Sequence, residues 1–172
     1  GLQYAHEGAD PDHVNRFPVT LSVAAVAVVS ISSPAVADRE GTVLDKVNAA
    51  RARGVSCGGA WQRPADALHR DSGLARSADR YAHTMAERGW FSHVGPSGST
   101  LAGRARRAGY RGFAGGENIA SGQPTAASVV HAWLASPGHC LNIMRRGYDE
   151  VGVGFARGAG GVTYWVLDFG YE

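Results

Sequence analysis

Trp133-Leu134-Ala135-Ser136-Pro137-Gly138-His139-Cys140-Leu141-Asn142-Ile143 is the stretch on which the reading of this chain turns. An apolar stripe at helical spacing (Val129, Val130, Trp133, Leu134) runs into it, and Thr125 stands where an N-cap belongs. Pro137 then opens a second helical turn that reaches Met144. The missing N–H of a proline is tolerated at a first helical position, where it would lack a partner anyway. Upstream, Gly116-Glu117-Asn118-Ile119-Ala120 offers a carboxylate in what reads as a glycine-rich turn, and Trp90-Phe91-Ser92-His93 offers a second imidazole. His93, Glu117 and His139 are the candidate acid/base or metal-ligating set.

Outward from this stretch, the helical period holds towards the N-terminus. Val43, Leu44, Val47 and Ala50 mark a first helix, with Thr42 as its cap and Gly54 as its end. Residues 55–70 read as a loop with a short strand. Leu74, Ala78, Tyr81, Ala82 and Met85 mark a second helix, capped by Asp71 or Ser72 and stopped by Gly89. A third runs from Ser99 or Thr100 to Gly109. Arg104, Arg107 and Arg111 would share a face there if Gly109 did not interrupt it. Beyond the central stretch the period changes to two. Val151, Val153 and Phe155, then Val162, Tyr164 and Val166, flank Gly158–Gly161 as a β-hairpin. Gly152 and Gly154 leave one face of the first strand bare, so something must pack closely against it.

Of the 172 residues, 44% are hydrophobic and 19% charged, which fits a folded domain and not a disordered chain. Val19 to Ile31 is mostly apolar, follows Arg16, and ends before Ala35-Val36-Ala37. That anatomy is a secretory signal peptide cleaved after Ala37, leaving residues 38–172 as one domain without a transmembrane segment. The acidic-leaning residues ahead of Asn15 place the expected translation start inside that stretch, with Val14 a candidate. Removing the one Arg and three acids of residues 1–37 from the chain's 17 basic and 15 acidic residues leaves a formal charge of +4. Such a charge suits anionic surfaces but is far from the dense basic stripe of a nucleic-acid binder.

Cys57 and Cys140 both fall in the exported part, where an even pair reads as one disulfide worth roughly 4 kcal/mol in the chain-entropy model. The competing reading makes Cys140 a nucleophile beside His139, although catalytic Cys–His pairs usually come from separate elements.

In order, Asn48-x-x-Arg51, Phe91-Ser92-His93, Ala108-Gly109-Tyr110, Gly116-Glu117-Asn118-Ile119-Ala120, Trp133-x-x-Ser136-Pro137-Gly138-His139, Asn142-Ile143, Val151-Gly152-Val153-Gly154 and Tyr164-Trp165…Asp168-Phe169-Gly170 resemble the CAP superfamily. This SCP-like group takes in cysteine-rich secretory proteins, venom antigen-5 proteins and plant pathogenesis-related proteins. The likeness is greatest to its bacterial secreted branch. It implies an α+β fold, a three-layer α-β-α sandwich with a central antiparallel sheet and a cleft over it. It also implies a cleft tetrad of two histidines and two acids. His93 and His139 match the histidine places and Glu117 the first acid place. Ser136 stands where the second acid is expected, which weakens any activity needing two carboxylates.

Two histidines and a glutamate form a zinc site of catalytic type when water completes it. The wide spacing of the three, without His-Glu-x-x-His, points to a weakly held, exchangeable divalent ion such as zinc, and no cofactor is required. Without a metal, Glu117 would orient one histidine for acid/base work, yet a persuasive nucleophile beside it is missing. In a purely structural reading Glu117 holds backbone N–H groups, Asn142 bridges backbone, and Asn48 and Arg51 pin the first helix. The leading expectation is a secreted or envelope-associated binding module. Its cleft would be formed by His93, Glu117, His139, Ser136, Asn142 and Trp90, and its ligand would be lipid or wall-derived. The alternatives are a hydrolase of peptide or wall material and a structural extracellular domain.

Overall fold

Helices come first because their caps are local. The computed structural model of the protein describes residues 34–172. Helix α1 (Pro34–Arg53) begins earlier than the Thr42 cap predicts; Pro34 is its first residue, and Thr42 lies inside it. The apolar run at 19–31 lies outside the described residues, and Ala35–Ala37 fall in the first turn of α1. Helix α2 (Ser72–Arg88) is capped by Asp71, whose carboxylate accepts from Leu74 N–H at 2.8 Å. It stops at Gly89, which takes a left-handed φ of 58° that side chains disfavour. Thr100 caps α3 (Leu101–Arg107), and Thr125 caps α4 (Ala126–Ala135) in a box with Ser128. Ser136 ends α4 and precedes α5 (Pro137–Met144), so His139 sits in the first turn of a helix.

Residues 55–70 hold more strand than the sequence suggests. Strands β1 (Val55–Cys57) and β2 (Ala60–Gln62) form a small hairpin, and β3 (His69–Arg70) joins the main sheet. That sheet has the order β3, β5 (Glu150–Arg157), β6 (Thr163–Tyr171), β4 (Phe113–Ser121). Its three long strands are antiparallel, and the two-residue β3 adds in parallel at one edge. The segment around Glu117 corrects the expectation of a turn, because it is a nine-residue strand. Gly115 and Gly116 mark a bulge opposite β6, and a Cβ on Gly116 would meet the Tyr148 hydroxyl at 2.7 Å. Glycine serves close packing there, not chain reversal.

Each sheet face buries its own layer. Val151, Val153, Phe155, Trp165, Leu167 and Phe169 pack with α1, α4 and α5 around Trp133. Ile119, Ala156, Tyr164 and Val166 pack against Ala78, Tyr81, Ala82 and Met85 of α2. Period-2 alternation thus yields the three-layer sandwich. Trp133 and Trp165 are core residues, whereas Trp61 is exposed. Cys57 and Cys140 form a disulfide across a separation of 83 residues, tying the β1–β2 hairpin to α5 and leaving no free thiol among the described residues. No helix among them is long and apolar enough to cross a membrane.

The bare strand face has its cause in α2. A Cβ on Gly154 would lie 2.2 Å from the backbone carbonyl carbon of Ala78, and one on Gly152 2.1 Å from that of Leu74. A helix backbone cannot yield as a side-chain tip can. Gly154→Ala is therefore expected to lower stability by about 1–3 kcal/mol. Denaturant unfolding checks this, and an unchanged midpoint would mean that α2 can draw back from β5 at little cost.

Candidate functional site

The two histidines and the glutamate come from three different elements at the β4 side of the sheet. His93 lies in the loop after α2, which four contacts hold. The Trp90 indole donates to Val94 O at 3.0 Å, and Val94 N–H donates to Ser92 Oγ at 3.2 Å. The Tyr81 hydroxyl donates to Ser92 O, and Arg104 Nη1 donates to His93 O at 3.2 Å. Trp90, expected as a cleft residue, thus acts by shaping the loop that presents His93.

Glu117 projects from β4 towards this loop. Its Oε1 lies 2.8 Å from His93 Nδ1, and its Oε2 accepts from Arg104 Nη2. The Glu117 side chain is 4% exposed and that of His93 is 56% exposed, so a buried carboxylate supports a ring open to solvent. Glu117 binds side chains here and not the backbone N–H groups of a structural clamp. Arg104 stacks over the Tyr81 ring at 3.5 Å. Across the strand pair, Asp168 of β6 stands opposite Glu117, fully buried and accepting from Ser77 Oγ at 2.9 Å. Burial, then the Glu117 charge, pushes the Asp168 carboxyl well above the ordinary range.

His139 approaches from α5, which an asparagine pair clamps to β4. Asn142 Nδ2 donates to Asn118 Oδ1 at 2.9 Å and to Glu117 O at 3.4 Å, and Asn118 Nδ2 donates to His139 O at 3.0 Å. The backbone bridging expected of Asn142 is present, with Asn118 as its partner. The two imidazoles differ in electrostatics. The hydrogen bond to Glu117 raises the pKa of His93, against a smaller opposing effect of burial. Burial, then the His93 charge, lowers that of His139. His139 is thus biased towards the neutral form that binds metals or accepts protons.

His93, Glu117 and His139 do not converge as a three-ligand metal set. Glu117 is engaged by Arg104 and His93, and among the described residues no three His, Cys, Asp or Glu side chains are grouped to hold an ion. Cys140, in the disulfide, is not a nucleophile. Ser136 accepts from Cys140 N–H through its backbone carbonyl at 2.9 Å and supplies no acid.

A family model, the cysteine-rich secretory protein family (CAP), matches residues 44–169. This chain belongs to the CAP family. The CAP domain is 31% identical over 102 residues to YkwD of Bacillus subtilis (strain 168), covering 59% of this chain and 38% of that protein. An extracellular SCP-domain protein of Bacillus anthracis str. Ames superposes with a TM-score of 0.66 at 23% identity, over 80% of this chain and 41% of that one. An outer surface protein of Borrelia burgdorferi gives 0.56 at 27% identity, over 61% of this chain and 77% of that one. The chain spans about two fifths of the length of the two Bacillus proteins.

Arg104, Asn118, Asp168, Tyr81 and Ser77 of this CAP domain escape the sequence-based list of site residues. Arg104 shows there only as one of several arginines on a short helix, because its partner Glu117 lies on another element. Asp168 had a signal, since it falls within the Tyr164…Gly170 motif. Its register opposite Glu117 needs the paired strands.

Proposed function

We propose that this CAP domain is an extracellular or envelope-associated binding module that holds its ligand at the His93–His139 mouth and does not hydrolyse it. The observation that carries this reading is the engagement of Glu117. With one oxygen on Arg104 and the other on His93, the carboxylate orients an imidazole instead of serving as a free base. Cys57 and Cys140 are bridged to each other, so neither is free to act as a nucleophile. The half-exposed His93 ring and the less basic His139 offer polar contacts beside the exposed Trp90 and Phe91. A lipid or wall-derived ligand with an apolar part and hydrogen-bonding groups suits that mixture.

A divalent ion such as zinc would be a weakly held guest at the mouth, with His93 and His139 the residues that would hold it. Glu117 on His93 Nδ1 is the kind of outer partner that orients a ligating imidazole.

The test is retention. The chain is incubated with cell-wall fragments and envelope lipids, beside a folded H93A/H139A variant and an unrelated basic protein of similar charge. Retention above the basic control, lost in the double variant, is the expected result. Retention equal to the control removes the reading, as does release of wall or peptide fragments that depends on His93.

A further inference from the structure

Arg104 also lines a cavity of about 300 Å³ between α2, α3 and the Pro96–Ser99 loop, which His93 does not line. Four arginines line it, Arg80 and Arg88 from α2 and Arg104 and Arg107 from α3, and no acid does so among the described residues. The sequence arranges this locally. Arg80, Thr84 and Arg88 recur every four residues along one face of α2, and Arg104 and Arg107 stand three apart on α3. The side chains of Arg80, Arg88 and Arg107 have no hydrogen bond or ion pair among the described residues. Thr84, Ser97 and Ser99 place hydroxyl-bearing residues among the charges.

The floor separates this cavity from a solvated basic surface. Arg104 is 8% exposed, and its Nη groups donate to Glu117 and to the carbonyls of His93 and Ser99. Its buried Nε has no hydrogen-bond partner among the described residues. The carboxyls behind the floor do not cancel the arginines. Glu117 is matched by Arg104, and Asp168, under Ser77, resists ionisation. A concave site of one sign concentrates counter-charge, and planar guanidinium groups match phosphate oxygens in paired hydrogen bonds. The volume holds a phosphate with part of the alcohol it esterifies.

We infer that the α2–α3 cavity is an oxyanion site that takes a phosphate-bearing ligand, separate from the histidine mouth. Free phosphate, a phosphodiester polymer and a phospholipid headgroup share that chemistry.

The experiment follows the arginine Nε–Hε resonances of the full chain by NMR at low ionic strength. The probes are inorganic phosphate, a glycerol-phosphate oligomer, and phosphatidylglycerol vesicles beside phosphatidylcholine ones. Inorganic phosphate should shift the Arg104 and Arg107 resonances saturably. R80Q/R107Q should weaken binding about tenfold, whereas R63Q/R146Q, with the same charge change away from the cavity, should not. The single R88Q variant repeats the test should the double variant melt early. The probe that competes at the lowest concentration names the ligand's source. H93A/H139A should leave phosphate binding intact, so the two sites stand or fall separately. Absence of a saturable Arg104 or Arg107 shift, or equal weakening in R63Q/R146Q, overturns the inference.

Discussion

Arg51→Met is expected to destabilise the domain by about 4 kcal/mol, a large share of the stability of an ordinary domain. Arg51 is fully buried and forms no ion pair with a carboxylate among the described residues. Its guanidinium donates to the carbonyls of Asp66 at 2.6 Å, Ile143 at 2.7 Å, Arg145 at 3.0 Å and Tyr148 at 3.1 Å. One side chain thereby ties α1 to the 63–68 loop and to the end of α5. Asn48, one turn earlier, pairs with both backbone groups of Leu68 at 3.0 and 2.8 Å. Burial lowers the Arg51 pKa, the signature of a cation held in a poor solvent by dipoles. Two effects compete on removal. Relief of a desolvated charge favours methionine, and several carbonyls left without donors oppose it. Each stranded carbonyl costs about 1–3 kcal/mol, so the second effect wins. Arg51→Lys keeps the charge but not the planar fork, and should recover less than half of the loss. Guanidinium unfolding with the disulfide intact measures both, and a loss under about 1 kcal/mol for methionine would mean that water replaces the fork.

Glu117→Gln should act on stability and on titration together. The Arg104–Glu117 pair is nearly dry, with side chains 8% and 4% exposed, so a neutral amide leaves a buried guanidinium uncompensated. A loss of about 3 kcal/mol is expected. The titration follows from His93. Its folded pKa stands above the ordinary 6.5, chiefly through the hydrogen bond to Glu117. A raised folded value contributes stability that is full below the unfolded pKa and fades as pH rises through the folded one. His139 has the opposite sign. Its depressed value contributes stability that is present above the unfolded pKa and fades as pH falls through the folded one. In Glu117→Gln the His93 pKa should fall, and the share of stability that fades on its deprotonation should vanish. Proton NMR of the two rings reads both. A His93 pKa unchanged by the substitution would show that the carboxylate does not hold that ring.

The parts of this molecule that were legible in the chain are those whose causes lie within a few residues. Asp71 reaches an N–H three positions on, Thr125 pairs with Ser128, and Gly89 relieves strain at its own Cα. The β5–β6 hairpin shows as alternation around a glycine loop, and the bare face at Gly152 and Gly154 announces a close neighbour without naming it. The strand through Glu117 is not legible in the chain, because glycine near a carboxylate reads as a turn. Here those glycines leave room for Tyr148, some thirty residues away, and no window along the chain contains that reason.

The central stretch from Trp133 to Ile143, with the motifs around it, was enough by itself to settle the family and the helix-turn-helix passage through Ser136 and Pro137, and to single out His93, Glu117 and His139 as candidates. What these residues do to one another is a matter of distance in space, which the order of residues does not encode. Strand pairing set Glu117 against Asp168, the packing of α3 put Arg104 on its other oxygen, and the asparagine clamp brought α5 alongside. Those contacts turned a candidate ligand into the buried support of His93. They also left four arginines around a cavity that no motif marked. Charge and hydrogen bonding act over a few ångströms, and only the folded chain brings these groups that close.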